Sequence, residues 1–420
     1  MKDFFKKEAF YTVNTFPEFR YYVIARFLLT MAIAFQSVLI GWEVYLLTDS
    51  KLMLGFIGLT EAIPAIGLAL YGGHVADKSE KKGLFFKCLI FYILLSATLI
   101  LLTHRDFISY FGKRDVIIGI YAVIFMTGMV RGFSGPAGFA LATFLIPKKY
   151  YPNGATWTSG AWQLGAIIGS ALAGLLYGIL GITLTFTLQL FLLVLSTFLI
   201  SKIQPKPIIN KDMTEKIWDS VKVGLRFVFQ NKIILSCISL DLFAVLFGGA
   251  TALLPVFAKD ILHVGSFGLG IMRAMPAVGA IIVMIWMAFF PFKKYVGNIL
   301  LIAVAGFGVF IILFGLSEYF ILSLFCLMMS GALDGVSVVI RQTILQLKTP
   351  EEMRGRVAAV NSMFIGSSNE TGEFESGLAA KLLGTVPAVI FGGAMTIFVV
   401  IVTYFKAPSL RAMHELKADD

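Results

Sequence analysis

About twelve apolar stretches of this chain, each long enough to cross a lipid bilayer, follow one another with mostly short polar turns between them. A helix needs roughly 20 apolar residues to span the hydrocarbon core of a membrane. The candidate spans are 20–47, 53–76, 84–103, 116–146, 152–181, 183–202, 232–258, 265–290, 296–316, 319–347, 355–383 and 386–405. Because 58% of the residues are hydrophobic and only 14% are charged, the composition excludes a soluble domain. The sequence therefore predicts an all-α membrane protein with twelve transmembrane helices.

The lysines and arginines are distributed unevenly between the predicted turns. Of the 35, 25 fall on one side of the membrane and six on the other, and four lie inside spans, namely Arg26, Arg131, Arg273 and Arg341. Cytoplasmic loops carry the excess of basic residues. The pattern predicts a multi-pass membrane protein with both termini in the cytoplasm. The net charge of +10 is then a signal of topology, and we expect no nucleic-acid partner.

The longest polar connection runs from Lys202 to Lys232 and divides the predicted spans into two sets of six. We expect an N-terminal bundle over 1–202, a cytoplasmic linker over 203–231 and a C-terminal bundle over 232–420. The linker is predicted to hold an amphipathic helix at about 212–229 that lies on the inner membrane face. Its apolar stripe is formed by Ile217, Trp218, Val221, Leu225, Val228 and Phe229.

The two halves repeat one another. The segment from Gly58 to Gly67 in the second span matches the segment from Gly270 to Gly279 in the eighth, since a Gly, Ala, Pro, Ala and Gly recur at a constant offset. Many secondary transporters are built from such repeats, with the substrate site at the mid-membrane interface between them. The sequence thus predicts two pseudo-symmetric six-helix bundles.

The turn between the second and third spans resembles a loop of the major facilitator superfamily. The residues that carry the resemblance are Gly73, Asp77, Lys78, Lys81 and Lys82. In this interpretation the carboxylate and the lysines form a cytoplasmic gate, which is closed when the outer side is open. The superfamily usually has Gly where this chain has Glu80, a change predicted to loosen the turn. The alternative is an ordinary basic loop without a gating role.

Two further segments resemble patterns of the same superfamily. In the fourth span, Arg131 is followed four residues later by Gly135. The arginine is predicted either to act in coupling or substrate contact or to form a structural ion pair.

In the fifth span an antiporter pattern is matched in part, with Ser in place of its Pro and Ala in place of one of its glycines. Its residues here are Gly165, Gly169, Ser170, Ala173 and Gly174. This second pattern favours export over import, although small residues at such spacing also occur in ordinary helix packing.

Charged side chains that are costly within a membrane concentrate in the second half. Asp241 lies in the seventh span, Asp334 and Arg341 share one face of the tenth, and three carboxylates lie in the eleventh: Glu370, Glu373 and Glu375. The carboxylates of the eleventh span are predicted either to share a transported proton or to form a fixed network of salt bridges with the tenth. Asp241 and Asp334 are predicted to face the substrate cavity, because the superfamily lines it with the first, fourth, seventh and tenth helices. Glu61 and Arg273 occupy matching positions of the repeat with opposite charge, which suggests a pair between the two domains.

From about Phe19 to Phe405 the chain resembles the branch of the major facilitator superfamily that contains enterobactin exporters and macrolide efflux proteins. The resemblance implies a secondary transporter of the bacterial inner membrane, a monomer, that exports a small amphipathic molecule such as a siderophore or drug, driven by the proton gradient and without a cofactor. The alternative is a proton-coupled uptake symporter for a metabolite or nutrient. We expect neither a sensor nor an enzyme, because no large extramembrane domain and no nucleophile–base set are present in the sequence.

Overall fold

The computed structural model describes residues 11–206, 217–290, 294–350 and 353–413, and all regular secondary structure in these ranges is helical. We number the α-helices of more than three residues in chain order. They are α1 (Tyr11–Thr15), α2 (Pro17–Thr48), α3 (Lys51–Lys78), α4 (Lys81–Leu102), α5 (Arg105–Thr143), α6 (Tyr151–Ser201), α7 (Ile217–Gln230), α8 (Lys232–Phe247), α9 (Gly265–Phe289), α10 (Val296–Leu316), α11 (Phe320–Lys348), α12 (Arg354–Leu383), α13 (Thr385–Lys406) and α14 (Pro408–Arg411).

Within the described ranges, ten helical segments are long and apolar enough to cross a membrane. Two of them contain a break in the backbone: α5 at Gly112 (φ 80°) and α6 at Gly181 (φ 74°). Only glycine adopts such positive φ angles without steric cost. The break at Gly181 falls at the boundary that the sequence predicted between the fifth and sixth spans.

One predicted span is interrupted. The sequence predicted a membrane span over 232–258, and within it α8 ends at Phe247 and is followed by a tighter turn at Ala250–Leu253 and a wider one at Phe257–Ile261. The consecutive residues Gly248 and Gly249 weaken the helix, and Pro255 lacks the backbone N–H that a continuous helix requires. The predicted span is present, since Lys232–Ile261 is long and apolar enough to cross a membrane, but its backbone is not a regular α-helix throughout.

The chain divides into two compact units. The first contains Met1–Leu47 and Ile63–Thr214, and the second contains Thr48–Ala62 and Glu215–Asp420. Helix α3 thus contributes its first half to the second unit and its second half to the first, and Pro64 follows directly after the point of division. The predicted bundle boundaries at 202 and 232 stay a prediction.

Each unit has its own apolar core. In the first unit it includes buried residues of α2, α4, α5 and α6, among them Phe19, Phe85 and Leu193. In the second unit it joins all helices from α7 to α14. The predicted amphipathic helix is present as α7, whose Leu225 and Val228 pack on this second core, whereas residues 207–216 and the side chains of Ile217, Trp218 and Val221 lie outside the described part of the chain.

Candidate functional site

A buried ion pair joins α8 to α11 in the second unit. The guanidinium of Arg341 bonds through Nη1 to Oδ2 of Asp241, and each side chain is only 8% exposed. The Nε of Arg341 also donates to the carbonyl oxygen of Ser337, one turn earlier on α11, at 3.4 Å. Because an ion in an apolar interior requires a partner of opposite charge, the two side chains hold each other in place.

Asp334 adds a second carboxylate to this pair. It lies on α11 seven residues before Arg341, and it interacts electrostatically with both Arg341 and Asp241. The structure therefore brings together three charged residues predicted from the sequence, which we call the acidic–basic cluster: Asp241, Asp334 and Arg341. Among the described residues Arg341 forms its ion pair with Asp241 alone, so the cluster has one negative charge more than it can compensate internally when both acids are ionised.

The predicted carboxylates of the eleventh span lie on α12, and all three residues are partly buried. Oε2 of Glu373 is 2.5 Å from the point that a Cβ atom on Gly58 would occupy, so this side chain rests against the first half of α3. Close approach of the same helices is visible at Gly377, where an added Cβ would be 2.8 Å from the Cα of Gly55. The rings of Phe56 and Phe374 add an aromatic contact with centroids 5.1 Å apart. Roles for Glu370, Glu373 and Glu375 in proton transfer stay predictions.

The remaining predicted charges are more dispersed. Arg131 is exposed on α5, whereas Glu61 and Arg273 are partly buried. Glu61 lies in the part of α3 that is grouped with the second unit, which also contains Arg273. Pairing of these two residues, and a coupling role for Arg131, stay predictions.

The predicted cytoplasmic gate lies where α3 ends and α4 begins. A Cβ atom on Gly72 would be 2.2 Å from the carbonyl oxygen of Gly132, so α3 packs closely on α5 at Gly72, whereas a Cβ on Gly73 would have no neighbour within 4 Å. Lys81 is buried, and its Nζ donates to the carbonyl oxygen of Ser79 at 3.1 Å. Lys78 is exposed and Lys82 partly buried, and the side chain of Asp77 lies outside the described part of the structure.

Glu80 does not loosen the turn, contrary to our expectation from the sequence. Its carboxylate caps α4 by accepting hydrogen bonds from the backbone N–H groups of Lys82 at 2.9 Å and Gly83 at 2.5 Å. It also accepts a bond of 2.8 Å from the backbone N–H of Lys206, and the Nζ of Lys206 pairs with Glu18 on α2. A carboxylate at the first turn of a helix satisfies N–H groups that have no partner within the helix. Glu80 therefore fixes both the gate turn and the start of the linker to the first unit.

We expect Glu80→Ala to destabilise the first unit by about 1 kcal/mol, the usual cost of removing a helix cap. The measurement is thermal unfolding of the purified protein in detergent. Lys82→Ala is the matched control, since it alters the same turn but keeps the backbone N–H that Glu80 binds. Equal unfolding temperatures for the two variants would contradict the capping role.

The antiporter-like segment of α6 packs tightly against α2 within the first unit. A Cβ atom on Gly165 would be 2.7 Å from the carbonyl oxygen of Phe27, and one on Gly169 would be 2.6 Å from that of Met31. The other small residues of the pattern, Ser170, Ala173 and Gly174, are also buried. The segment thus permits backbone contact between two helices, as expected for small residues at this spacing.

The sequence reasoning missed a buried carboxylate near the end of α2. Glu43 is 8% exposed, and the phenol of Tyr177 on α6 donates a 3.3 Å hydrogen bond to its Oε2. The signal was available, because Glu43 lies inside the first predicted span, where a carboxylate is expensive.

A neutral hydrogen-bond network in the first unit was also missed. Gln36 on α2 accepts a 3.0 Å bond from Gln189 on α6 and donates a 3.3 Å bond to Thr127 on α5. Gln189 in turn accepts a 3.1 Å bond from Ser96 on α4. All four residues are buried, so the network satisfies polar groups that could not otherwise be placed in the interior of the bundle.

One exposed ion pair belongs to the second unit. Nζ of Lys259 lies 2.8 Å from Oδ1 of Asp49, which has a positive φ of 52° between α2 and α3. The hydrogen bond from Lys259, together with its positive charge, lowers the pKa of Asp49 below its usual value. Solvent screens such a pair, and its contribution to stability is small.

Known proteins match this chain over most of its length. A family model described as "transmembrane secretion effector" matches residues 14–419. The enterobactin exporter EntS of Shigella boydii serotype 4 is 24% identical over 386 residues, which cover 90% of this chain and 87% of that protein. EntS of Escherichia coli O1:K1 gives the same identity and coverage.

Solved structures share the fold. A D-xylose–proton symporter superposes with a TM-score of 0.73 and 12% identity, covering 92% of this chain and 98% of that one. A POT family transporter in complex with 5-aminolevulinic acid gives the same TM-score and identity, covering 94% and 97%. At this level of identity the similarity is one of fold alone.

Proposed function

This chain belongs to the transmembrane secretion effector family of the major facilitator superfamily, and from that membership we propose that it exports a small amphipathic molecule in exchange for protons. The protein is a multi-pass membrane transporter and not an enzyme. Its curated relatives named as enterobactin exporters support the outward direction and suggest a siderophore as cargo.

The proposed architecture has twelve membrane spans in two six-helix bundles, with both termini in the cytoplasm. The ten apolar segments support this count, because Asn153–Ser201 contains the break at Gly181 and can be divided into two spans. Helix α12 has 30 residues and supplies the twelfth. Its more polar composition, which includes Glu370, Glu373 and Glu375, agrees with a helix that faces a polar interior and not the lipid.

The single observation that carries the proposed mechanism is the acidic–basic cluster. Two carboxylates and one guanidinium interact between α8 and α11 in the second unit. A second carboxylate beside a paired one is unfavourable in its ionised form. Binding of a proton there would remove the uncompensated negative charge, and such a change of charge is what a proton-coupled carrier needs to couple two steps of its cycle.

The direct test is transport by the purified protein, as a monomer, in liposomes. Imposing a pH gradient should drive enterobactin, or a macrolide in a parallel assay, toward the acidic compartment, as expected for exchange against protons. Substrate and protons moving in the same direction would instead establish the alternative uptake symporter. No gradient-dependent movement of either substrate would contradict the proposed siderophore or drug class.

Glu43 offers a second test of proton coupling. We expect Glu43→Gln to fold normally, since an amide oxygen can still accept the hydrogen bond from Tyr177, but to lose pH-driven transport while retaining exchange of substrate between the two sides. The matched control is Tyr177→Phe, which removes the hydrogen bond and leaves the carboxylate able to bind a proton. Wild-type pH-driven transport by Glu43→Gln would exclude this residue from the proton pathway.

A further inference from the structure

A groove of about 430 Å³ runs along the surface of the second unit between the first part of α10 and the last part of α13. Its walls are formed by Asn298, Leu301, Ile302, Ala305, Val400, Ile401, Tyr404 and Phe405. Most of these residues are apolar, and Ile302, Ile401 and Phe405 are at least half exposed. A lipid-facing surface is normally apolar, but a concave one of this size can hold a hydrocarbon chain along its length.

A cation is held at the end of this groove. The guanidinium carbon of Arg411, on α14, lies 4.7 Å from the centre of the Tyr404 ring that lines the groove. Helix α14 is fixed there, because a Cβ atom on Gly297 would be 1.9 Å from the carbonyl oxygen of Leu410. The backbone N–H of Gly297 also donates to the carbonyl oxygen of Met413 at 3.2 Å. The position of Arg411 is therefore set by backbone contacts at the start of α10.

Among the described residues of α10, α13 and α14 and those directly beside them, all charges at this end of the groove are positive. Lys294 precedes α10 and Lys406 ends α13, and both residues are exposed, as is Arg411. Neither 294–316 nor 385–413 contains an aspartate or a glutamate. In the part of the chain that the structure describes, Arg411 makes no ion pair. The groove thus combines an apolar wall with a basic rim, and its complement is a molecule with a hydrocarbon chain and an anionic head.

We propose that this groove binds one anionic phospholipid, with an acyl chain along α10 and α13 and the headgroup phosphate at Arg411. A guanidinium matches the geometry of a phosphate by donating two parallel hydrogen bonds. Anionic lipids attract basic residues beside the membrane by about 1 kcal/mol per charge. In the proposed topology this end of the groove lies in the cytoplasmic leaflet, but the binding itself depends neither on that orientation nor on which substrate is transported.

The test is native mass spectrometry of the full chain released from nanodiscs that contain phosphatidylglycerol and phosphatidylcholine with identical acyl chains. We expect one phosphatidylglycerol to be retained in preference to phosphatidylcholine. Arg411→Ala should weaken that retention about fivefold, the equivalent of the roughly 1 kcal/mol that one basic residue contributes. The control is Lys202→Ala, because Lys202 also places a cation over an aromatic ring, 4.8 Å from the centre of Phe198 on α6, away from this groove.

A second pair of variants tests the acyl chain. Ile302→Trp should fill the groove and reduce retention, whereas Ile321→Trp changes an apolar side chain on α11 that is 81% exposed and lies outside the groove walls. Equal retention of both lipids, or equal effects of Arg411→Ala and Lys202→Ala, would overturn the proposal. Displacement of the lipid by free inorganic phosphate, or unchanged retention in Ile302→Trp, would assign Arg411 to a simple anion site and would also overturn it.

Discussion

Asp241→Asn should destabilise the protein strongly and abolish transport. The substitution removes the negative charge that compensates Arg341 and leaves a guanidinium that is only 8% exposed without its partner. Loss of one member of a buried ion pair typically costs about 3–5 kcal/mol. We therefore expect a clear drop in the unfolding temperature in detergent, together with transport no higher than that of empty liposomes.

A double variant separates the effect on stability from the effect on transport. Asp241→Asn combined with Arg341→Gln removes both charges, so it should recover much of the lost stability, since a neutral pair of similar size carries no uncompensated charge. If the cluster acts in coupling, the double variant stays folded but does not transport. Normal transport by the double variant would show that the pair serves only the structure.

The all-helical class and the approximate position of most spans could be predicted because the membrane imposes them. A bilayer leaves no water for backbone groups, so a run of apolar residues of sufficient length must form a helix. The positive φ at Gly181 coincides with the predicted boundary of two spans because glycine adopts this backbone conformation without steric cost. Where two adjacent glycines and Pro255 interrupt a run that is still apolar, hydrophobicity alone could not reveal the break after Phe247.

Partners across helices could not be predicted in the same way. The spacing of Asp334 and Arg341 placed them on one face of a helix, but only the fold shows that Asp241, 100 residues earlier, pairs with that arginine. Glu80 was misread for a related reason. The family pattern has glycine at this position, so Glu80 appeared only as a departure from the pattern. Its effect on the turn depends instead on the N–H groups at the start of α4 and on Lys206, which approaches from a distant part of the chain.

The internal repeat provides a test in which two equivalent glycines should respond in opposite directions. A Cβ atom on Gly279 would be 1.9 Å from the carbonyl oxygen of Met328 and 2.9 Å from the backbone nitrogen of Ala332. These are backbone atoms of α11, which cannot move aside as a side chain can. By contrast, a Cβ atom on Gly67, which is the equivalent residue 212 positions earlier, would have no neighbour within 4 Å.

Gly279→Ala should therefore force α9 and α11 apart and destabilise the second unit by about 1–3 kcal/mol or more, the range found for overpacked interiors. Gly67→Ala should instead stabilise α3 by about 0.5–1 kcal/mol, because alanine loses less conformational freedom than glycine when a helix forms. Thermal unfolding of the two variants under identical detergent conditions measures the difference. If both substitutions change the unfolding temperature in the same direction, the close contact between α9 and α11 does not make Gly279 respond differently from Gly67.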